Sequence, residues 1–235
     1  MQKGKLYLIP NFLFAGNKDD IASNQLKIIY KLTEFIVESE KSARAFLKAI
    51  EHPAKQDIFL FHIYNEHNQQ KADFYEIFKN CISGNSLGLI SDAGIPCVAD
   101  PGSIAVSFAI KNNIEIVPMS GSSSIFLALM ASGLNGQNFT FNGYLPHEPA
   151  LKVKKINSME KEMLTNNHTQ IFIETPYRNQ KLLEILLKNL NDNTILFIAA
   201  GISTEKQLFK QMKIKEWKKQ NIEINKIPAI FIIGK

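Results

Sequence analysis

Several residue types and patterns are scarce in this chain. Among 235 residues there are two cysteines, one tryptophan and, within 27 basic side chains, two arginines. Cys81 and Cys97 stand in no metal-ligand spacing. A disulfide scaffold and a zinc site are therefore excluded, and both residues are expected as thiols in a reducing cytoplasm. His62 and His67 lie five apart, the wrong spacing for two ligands on one helix face, so no metal is expected. No stretch approaches the ~20 apolar residues of a membrane span. Runs such as Ile125 to Ala131 stop after a turn or two. At the N-terminus Lys3 and Lys5 precede an apolar run, yet Pro10 and Asn11 break it and no small-residue cleavage site follows, so a first buried strand is expected rather than an export signal. Also missing are a P-loop and a G-x-G-x-x-G after the first strand, which argues against ordinary nucleotide hydrolysis and dinucleotide binding. Ser123 is not the nucleophile of a G-x-S-x-G elbow, because Ile125 stands two residues beyond it.

A hydrophobic content of 45% with 21% charged residues suits one large α/β domain or two small ones, either able to bury a core without cross-links. The formal charge of +5 is unevenly spread. Residues 1–120 carry 12 basic and 13 acidic side chains, and residues 121–235 carry 15 and 9. A positive field confined to one half suits an anionic partner there, although a solvated lysine face reads equally well. Where generic charge is supplied by lysine, Arg44 and Arg178 are expected to mark bidentate contacts to carboxylate or phosphate.

The first half alternates short apolar runs (Leu6 to Ile9, Phe35 to Val37, Ile58 to Phe61, Leu87 to Ile90, Ile114 to Val117) with helical spacing at Ile21, Ile28, Ile29 and Leu32, at Phe46, Leu47 and Ile50, and at Phe74, Ile77, Phe78 and Cys81. Strands separated by helices predict an open, doubly wound parallel sheet with right-handed crossovers. Its ligands are expected at the carboxyl ends of the strands. Beyond Ser132 the stretch SGLNGQNF reads as a linker. The strands that follow (Phe139 to Phe141, Ile171 to Glu174, Ile195 to Ala199, Leu208 to Met212, Ala229 to Ile233) have less regular helical partners, chiefly Lys152 to Leu164 and Asn179 to Leu190. The expectation is an N-terminal doubly wound α/β domain over residues 1–117 and a smaller α/β domain with a mixed sheet over 118–235.

Two segments carry chemical potential. Leu89 to Gly102, LISDAGIPCVADPG, leaves a strand and enters a helix with two carboxylates, two prolines and two glycines. Such a loop allows close backbone approach to a ligand, or simply caps the next helix through Asp100. Met119 to Ser124, MSGSSS, presents backbone N–H groups and hydroxyls at a helix start, a place for an anion or a plain serine cap.

These residues carry a resemblance. SDAGIPCVADPG, then VPMSGSSS, ASGL, FNGYLP, ETPYR and the terminal IPAIFIIG, with NEHN at Asn65 to Asn68 and, loosely, VESEKSAR at Val37 to Arg44, resemble the tetrapyrrole-methylase superfamily of S-adenosylmethionine methyltransferases. Within it the chain is most similar to the ribosomal RNA small subunit methyltransferase I family, which methylates a ribose 2′-oxygen. The resemblance implies a two-domain α/β homodimer with S-adenosylmethionine in a cleft between domains, and no metal. It places cofactor contacts at Asp92, Ala93, Gly94, Ile95 and Pro96 and at Ser120, Gly121, Ser122 and Ser123. Arg44, Lys152 and Arg178 become candidates for binding RNA or another anionic acceptor, and Lys154, Lys155 and the cluster Lys213, Lys215, Lys218 and Lys219 candidates for touching phosphates. Glu66, His67 and Asp100 become candidates for a base, though each is equally readable as a structural hydrogen-bonding residue. Departures fall mostly on the acceptor side, where Glu38, Ser39, Glu40 and Lys41 replace an acidic-aspartate-threonine-arginine run and AAGISTEKQ replaces an arginine-glutamate-leucine-threonine-lysine run. A methyltransferase of a small acidic metabolite such as a tetrapyrrole, and a cofactor-binding module without catalysis, therefore stand as alternatives.

Overall fold

The computed structural model describes residues 2–65 and 67–235, and the chain divides into two compact units, one running to Ser123 and the other from Ser124 to Lys235. The first contains β1 (Lys5–Ile9), α1 (Ser23–Ile29), β2 (Glu34–Val37), α2 (Glu40–Ala49), β3 (Leu60–Ile63), α3 (Phe74–Ile77), α4 (Lys79–Ile82), β4 (Leu87–Ile90), α5 (Ser103–Lys111) and β5 (Glu115–Pro118). Its five strands are all parallel, in the order β3-β2-β4-β1-β5. Each parallel step needs a crossover, and a right-handed crossover puts its helix on a face set by the direction of travel. From β1 to β2 to β3 the chain moves one way, so α1 and α2 share a face; from β3 to β4 to β5 it moves back, so α3, α4 and α5 share the other. The two cores follow this division. Ile9, Phe35, Val37 and Ile90 pack under Ile29, Phe46 and Leu47, while Leu6, Ile36, Leu87 and Leu89 pack under Phe78, Ala105 and Ala109. Each fully buried Leu, Ile or Phe contributes about 1.5–3 kcal/mol.

Two local differences from the sequence pattern have clear causes. The third strand begins at Leu60 rather than Ile58, because Gln56–Ile58 forms a 3-10 turn and the pairing of β2 with β3 starts at Glu34 opposite Leu60. The helix expected around Phe74 to Cys81 is split at Phe78, whose φ of −93° and ψ of 4° close one short helix before α4 opens.

The second unit contains α6 (Ser124–Ser132), β6 (Phe139–Tyr144), α7 (Pro149–Asn166), β7 (Thr169–Ile173), α8 (Asn179–Asn189), β8 (Ile195–Ala200), β9 (Leu208–Lys213), α9 (Ile214–Trp217) and β10 (Ala229–Gly234). Its sheet order is β6-β7-β10-β8-β9, with β6 parallel to β7 and the other pairs antiparallel. Strand β10 is buried on both faces. Ile230 and Ile232 meet Ile125, Ala128 and Leu129 of α6, whereas Phe231 and Ile233 meet Ile156, Leu183 and Leu186 on the opposite side. Trp217 is 1% exposed in that second core and donates its indole N–H to the Leu196 carbonyl at 2.8 Å. The α/β class, the parallel first sheet and the mixed second sheet are as the sequence predicts.

Candidate functional site

In the first unit β1 and β4 are neighbours whose outgoing connections run to opposite faces. Their carboxyl ends therefore flank a crevice at the topological switch point, where ligands of open α/β sheets bind. Three loops meet there. Asn11, just after β1, pairs with Gly94, just after β4, through N–H···O bonds of 2.9 and 3.1 Å. The Asn11 amide also donates to the carbonyls of Ser91 at 3.0 Å and Asp92 at 3.2 Å, and the Ser91 hydroxyl donates to the Gly94 carbonyl at 2.6 Å. From the third loop, after β5, Gly121 packs so closely on Pro10 that a methyl group at Gly121 would stand 2.2 Å from the Pro10 Cβ. Gly94 has φ of +71°, and a methyl there would stand 3.2 Å from the Ser122 carbonyl oxygen. Asp92 to Pro96 and Ser120 to Ser123, named from the sequence, are thus brought together within one unit. Asn11, which ties down the first of these segments, has no site signature in the sequence beyond its position after the strand-ending proline.

The loop between Ser91 and Gly102 is strained and pinned. Cys97 and Ala99 adopt positive φ (68° and 61°), which costs non-glycine residues about 1–3 kcal/mol each. Asp100 supports this shape: its carboxylate accepts the Cys97 N–H on both oxygens and the Gly102 N–H on one, all at 2.8 Å. Burial raises the Asp100 pKa above its ordinary value, partly offset by these N–H donors from Gly102 and Cys97. Burial, with the Asp100 charge, pushes the Cys97 thiol up to about 12.

Beside this loop lies a crevice with about 200 Å³ of space open to solvent, lined by Glu38, Tyr64, Leu89, Ser91, Asp100 and Gly102 among others. Glu38 is oriented by the Asp92 N–H at 3.1 Å. The Tyr64 hydroxyl is buried without a hydrogen-bond partner among the described residues, a state that costs about 1–3 kcal/mol unless a ligand or water satisfies it. Lined by carboxylates and hydroxyls, this crevice suits a hydroxyl or a cationic group rather than an anion. Its enclosed part is only about 10 Å³, room for on the order of one water-sized group.

Glu66 lies outside the described residues. His67 is exposed on the loop after β3, its N–H donating to the Asn65 side chain at 3.0 Å. Arg44 is committed within the first unit: it bonds the Glu40 carboxylate at 2.7 Å, donates to the Gln56 carbonyl and lies 4.8 Å from the Phe61 ring centroid. Lys152 is not on the surface. Its ammonium is buried against Glu174 at 2.7 Å, a carboxylate whose side chain is 1% exposed. Arg178, half-exposed, reaches the same carboxylate at 3.2 Å, donates to the Thr175 hydroxyl at 2.8 Å and bonds the His147 ring. Burial alone would raise the Glu174 carboxyl, but the Lys152 hydrogen bond, the Thr175 N–H and the charges of Lys152 and Arg178 outweigh it and hold the carboxyl below its usual range. Among the described residues, no group of three His, Cys, Asp or Glu side chains converges as a metal site, and no helix is long and apolar enough to cross a membrane.

A parallel sheet whose three loops meet at its switch point, in a chain with a second α/β unit on a mixed sheet, defines a class of two-unit α/β proteins. The chain belongs to the tetrapyrrole (corrin/porphyrin) methylases, whose family model matches residues 15–218. Among curated relatives it is 29% identical to the ribosomal RNA small subunit methyltransferase I of Halalkalibacterium halodurans, over 82% of this chain and 63% of that protein. To the protein of the same name from Vibrio cholerae it is 29% identical over 90% and 69% of the two chains. To that from Buchnera aphidicola it is 27% identical over 98% and 78%. The chain thus spans about two thirds of the length of the first two of these relatives. Among solved structures, the methyltransferase CobJ superposes with a TM-score of 0.63 at 14% identity, covering 99% of this chain and 94% of that one. The uroporphyrin III C-methyltransferase of Thermus thermophilus gives 0.60 at 14%, covering 99% and 98%. At such identities the structural likeness establishes the fold.

Proposed function

We propose that the chain is an S-adenosylmethionine-dependent methyltransferase acting on small-subunit ribosomal RNA at a ribose 2′-oxygen. The observation that carries the reading is the convergence of the Pro10–Asn11, Ser91–Pro96 and Ser120–Ser123 backbones at the switch point of a chain in the methylase family. Gly94 and Gly121 let the three loops pack closely on one another, and Asp92, Glu38 and Asp100 beside them supply negative charge suited to the cationic sulfonium of the cofactor. Backbone groups of Asp92 to Pro96 and Ser120 to Ser123 would hold it. When bound, S-adenosylmethionine supplies an electrophilic methyl group. An in-line displacement then depends mainly on positioning, which a pinned loop provides without a metal or a covalent nucleophile. Asp100 holds that loop through Cys97 and Gly102. The proton lost by a hydroxyl acceptor goes to a side chain, with Glu66, His67 and Asp100 as the candidates.

The excess of lysine after residue 120 and the names of the curated relatives favour an RNA acceptor over a tetrapyrrole. Arg178 and the lysines of the second unit would contact phosphates. Arg44 and Lys152 are not carried into this role, being committed to Glu40 and Gln56 and to Glu174 respectively. A homodimer in the cytoplasm belongs to the same proposal, on the family resemblance.

The test is transfer of labelled methyl groups from S-adenosylmethionine to unmodified small-subunit RNA made by transcription. A 2′-O-methyl group protects the adjacent phosphodiester from alkali, so label is expected in an alkali-stable dinucleotide. Label confined to bases, or none in RNA but some in a tetrapyrrole, would overturn the acceptor assignment.

A further inference from the structure

We infer that Tyr177, with Arg178 and His147, forms a stacking platform for one unpaired nucleobase of the RNA and its adjoining phosphate; the inference rests on the RNA reading above. Tyr177 is 75% exposed, among the most solvated large side chains of the described residues, yet it sits on a rigidly tied segment. On one side Glu174 accepts the Thr175 N–H at 2.8 Å and anchors Lys152 and Arg178. On the other, the Pro176 carbonyl accepts the Lys226 N–H at 2.9 Å, the Asn179 amide donates to the Ile227 carbonyl at 2.6 Å, and the Gln180 side chain accepts the Ile224 N–H at 3.0 Å. The 3-10 turn Pro176–Arg178 between these ties has little freedom. An aromatic ring held out into water on a fixed turn loses little entropy when a base stacks on it. Stacking of this kind is how proteins hold unpaired nucleotides.

The charge around the ring completes the match. Glu174 is single, with two cations on it, so the cluster keeps a net positive charge, and the half-exposed guanidinium is the part that faces solvent. The guanidinium also bonds Nδ1 of His147, an exposed side chain. Buried Lys152 is a positioning residue here: by neutralising Glu174 it leaves the Arg178 charge available to a phosphate. A platform of one aromatic face and one held cation recognises a single-stranded nucleotide, not a duplex, whose bases are already stacked.

The experiment compares binding of a 12-nucleotide unstructured RNA and of the same sequence as a duplex by the wild type, Tyr177→Phe, Tyr177→Ala and Arg178→Gln, over a salt series. Fluorescence of the single tryptophan verifies folding. Tyr177→Ala should weaken single-strand binding by on the order of ten-fold without altering the salt slope, leave the duplex unchanged and be restored by Tyr177→Phe. Arg178→Gln should lower the slope of log K against log salt by about 0.7. Equal single-strand affinity in Tyr177→Ala, or an equal loss on the duplex, overturns the platform. Loss of S-adenosylmethionine affinity with RNA affinity intact overturns it too, since the ring would then serve the cofactor. A wild type that transfers methyl groups to RNA while Tyr177→Ala binds normally sinks only this inference; a wild type that neither binds nor methylates RNA sinks both.

Discussion

Lys152→Met is a sharp test of how the second unit is held together. The substitution keeps most of the apolar stem and removes the ammonium 2.7 Å from Glu174. Removing one partner of a buried ion pair costs about 3–5 kcal/mol, because the other charge is left without compensation. Here compensation is partial: Arg178 remains at 3.2 Å but is 40% exposed, and the Thr175 N–H remains at 2.8 Å. The loss should therefore fall at or just below the lower end, about 2–3 kcal/mol. Glu174→Gln strands an ammonium instead and should cost at least as much, and the double variant should cost clearly less than the two losses added. Trp217 is the only tryptophan and lies in the core of this unit, so urea unfolding followed by its fluorescence reports on the second unit selectively. The pH dependence has a defined sign. Glu174 is held below its usual 4.5 in the folded state, so its contribution is complete above that value and disappears as pH falls through the lowered native one. Lys152→Met should shrink this acid-sensitive part. A variant within 0.5 kcal/mol of the wild type with an unchanged acid limb would refute the reasoning.

Three further outcomes are expected. Gly121→Ala must displace Pro10, given the 2.2 Å approach, and should weaken S-adenosylmethionine binding at least about ten-fold in calorimetry while the Trp217 transition stays put; unchanged affinity would remove the loop after β5 from the site. At pH 8 Cys97 should react with a disulfide reagent far more slowly than a free thiol, since burial and Asp100 push it up to about 12; Asp100→Asn, which removes a charge and loosens the loop, should speed the reaction, and identical rates would deny Asp100 its positioning role. Replacing Lys213, Lys215 and Lys219 together with glutamine should lower the salt slope of single-stranded RNA binding by about 2 if all three touch phosphates; an unchanged slope would move the RNA elsewhere.

The elements were legible because their periodicities are strong. LYLI, EFIV, LGLI and AIFIIG carry enough β-branched and leucine content between turn residues to fix four strands almost to the residue, and the leucine spacing of α8 allows one helix. The cradle was legible in part, since Gly94 and Gly121 stand in loops whose composition allows close backbone approach, though a plain helix cap would read the same. The tie across it was not, because the pairing of Asn11 with Gly94 depends on two strands becoming neighbours. Lys152 was misread for a related reason: on a charged helix a lysine looks solvated, and only the fold brings the buried carboxylate of Glu174 to it. Arg44 does meet a carboxylate, but an internal one, and its Nε and Nη2 both fall on a single Glu40 oxygen rather than forming the bidentate contact expected of it. The Tyr64 hydroxyl, without a partner among the described residues, has no sequence signature at all, being a property of what surrounds it.

The central claim is that the three loops at the switch point bind S-adenosylmethionine. Its most direct test is isothermal titration of the purified chain with S-adenosylmethionine and S-adenosylhomocysteine, with and without unmodified small-subunit RNA, repeated on Gly94→Trp, whose side chain would crowd Leu13 and the Ser122 carbonyl. Saturable binding to the wild type, abolished in Gly94→Trp, is the predicted result. Binding of equal strength in Gly94→Trp, or no binding by the wild type even with RNA present, would contradict it.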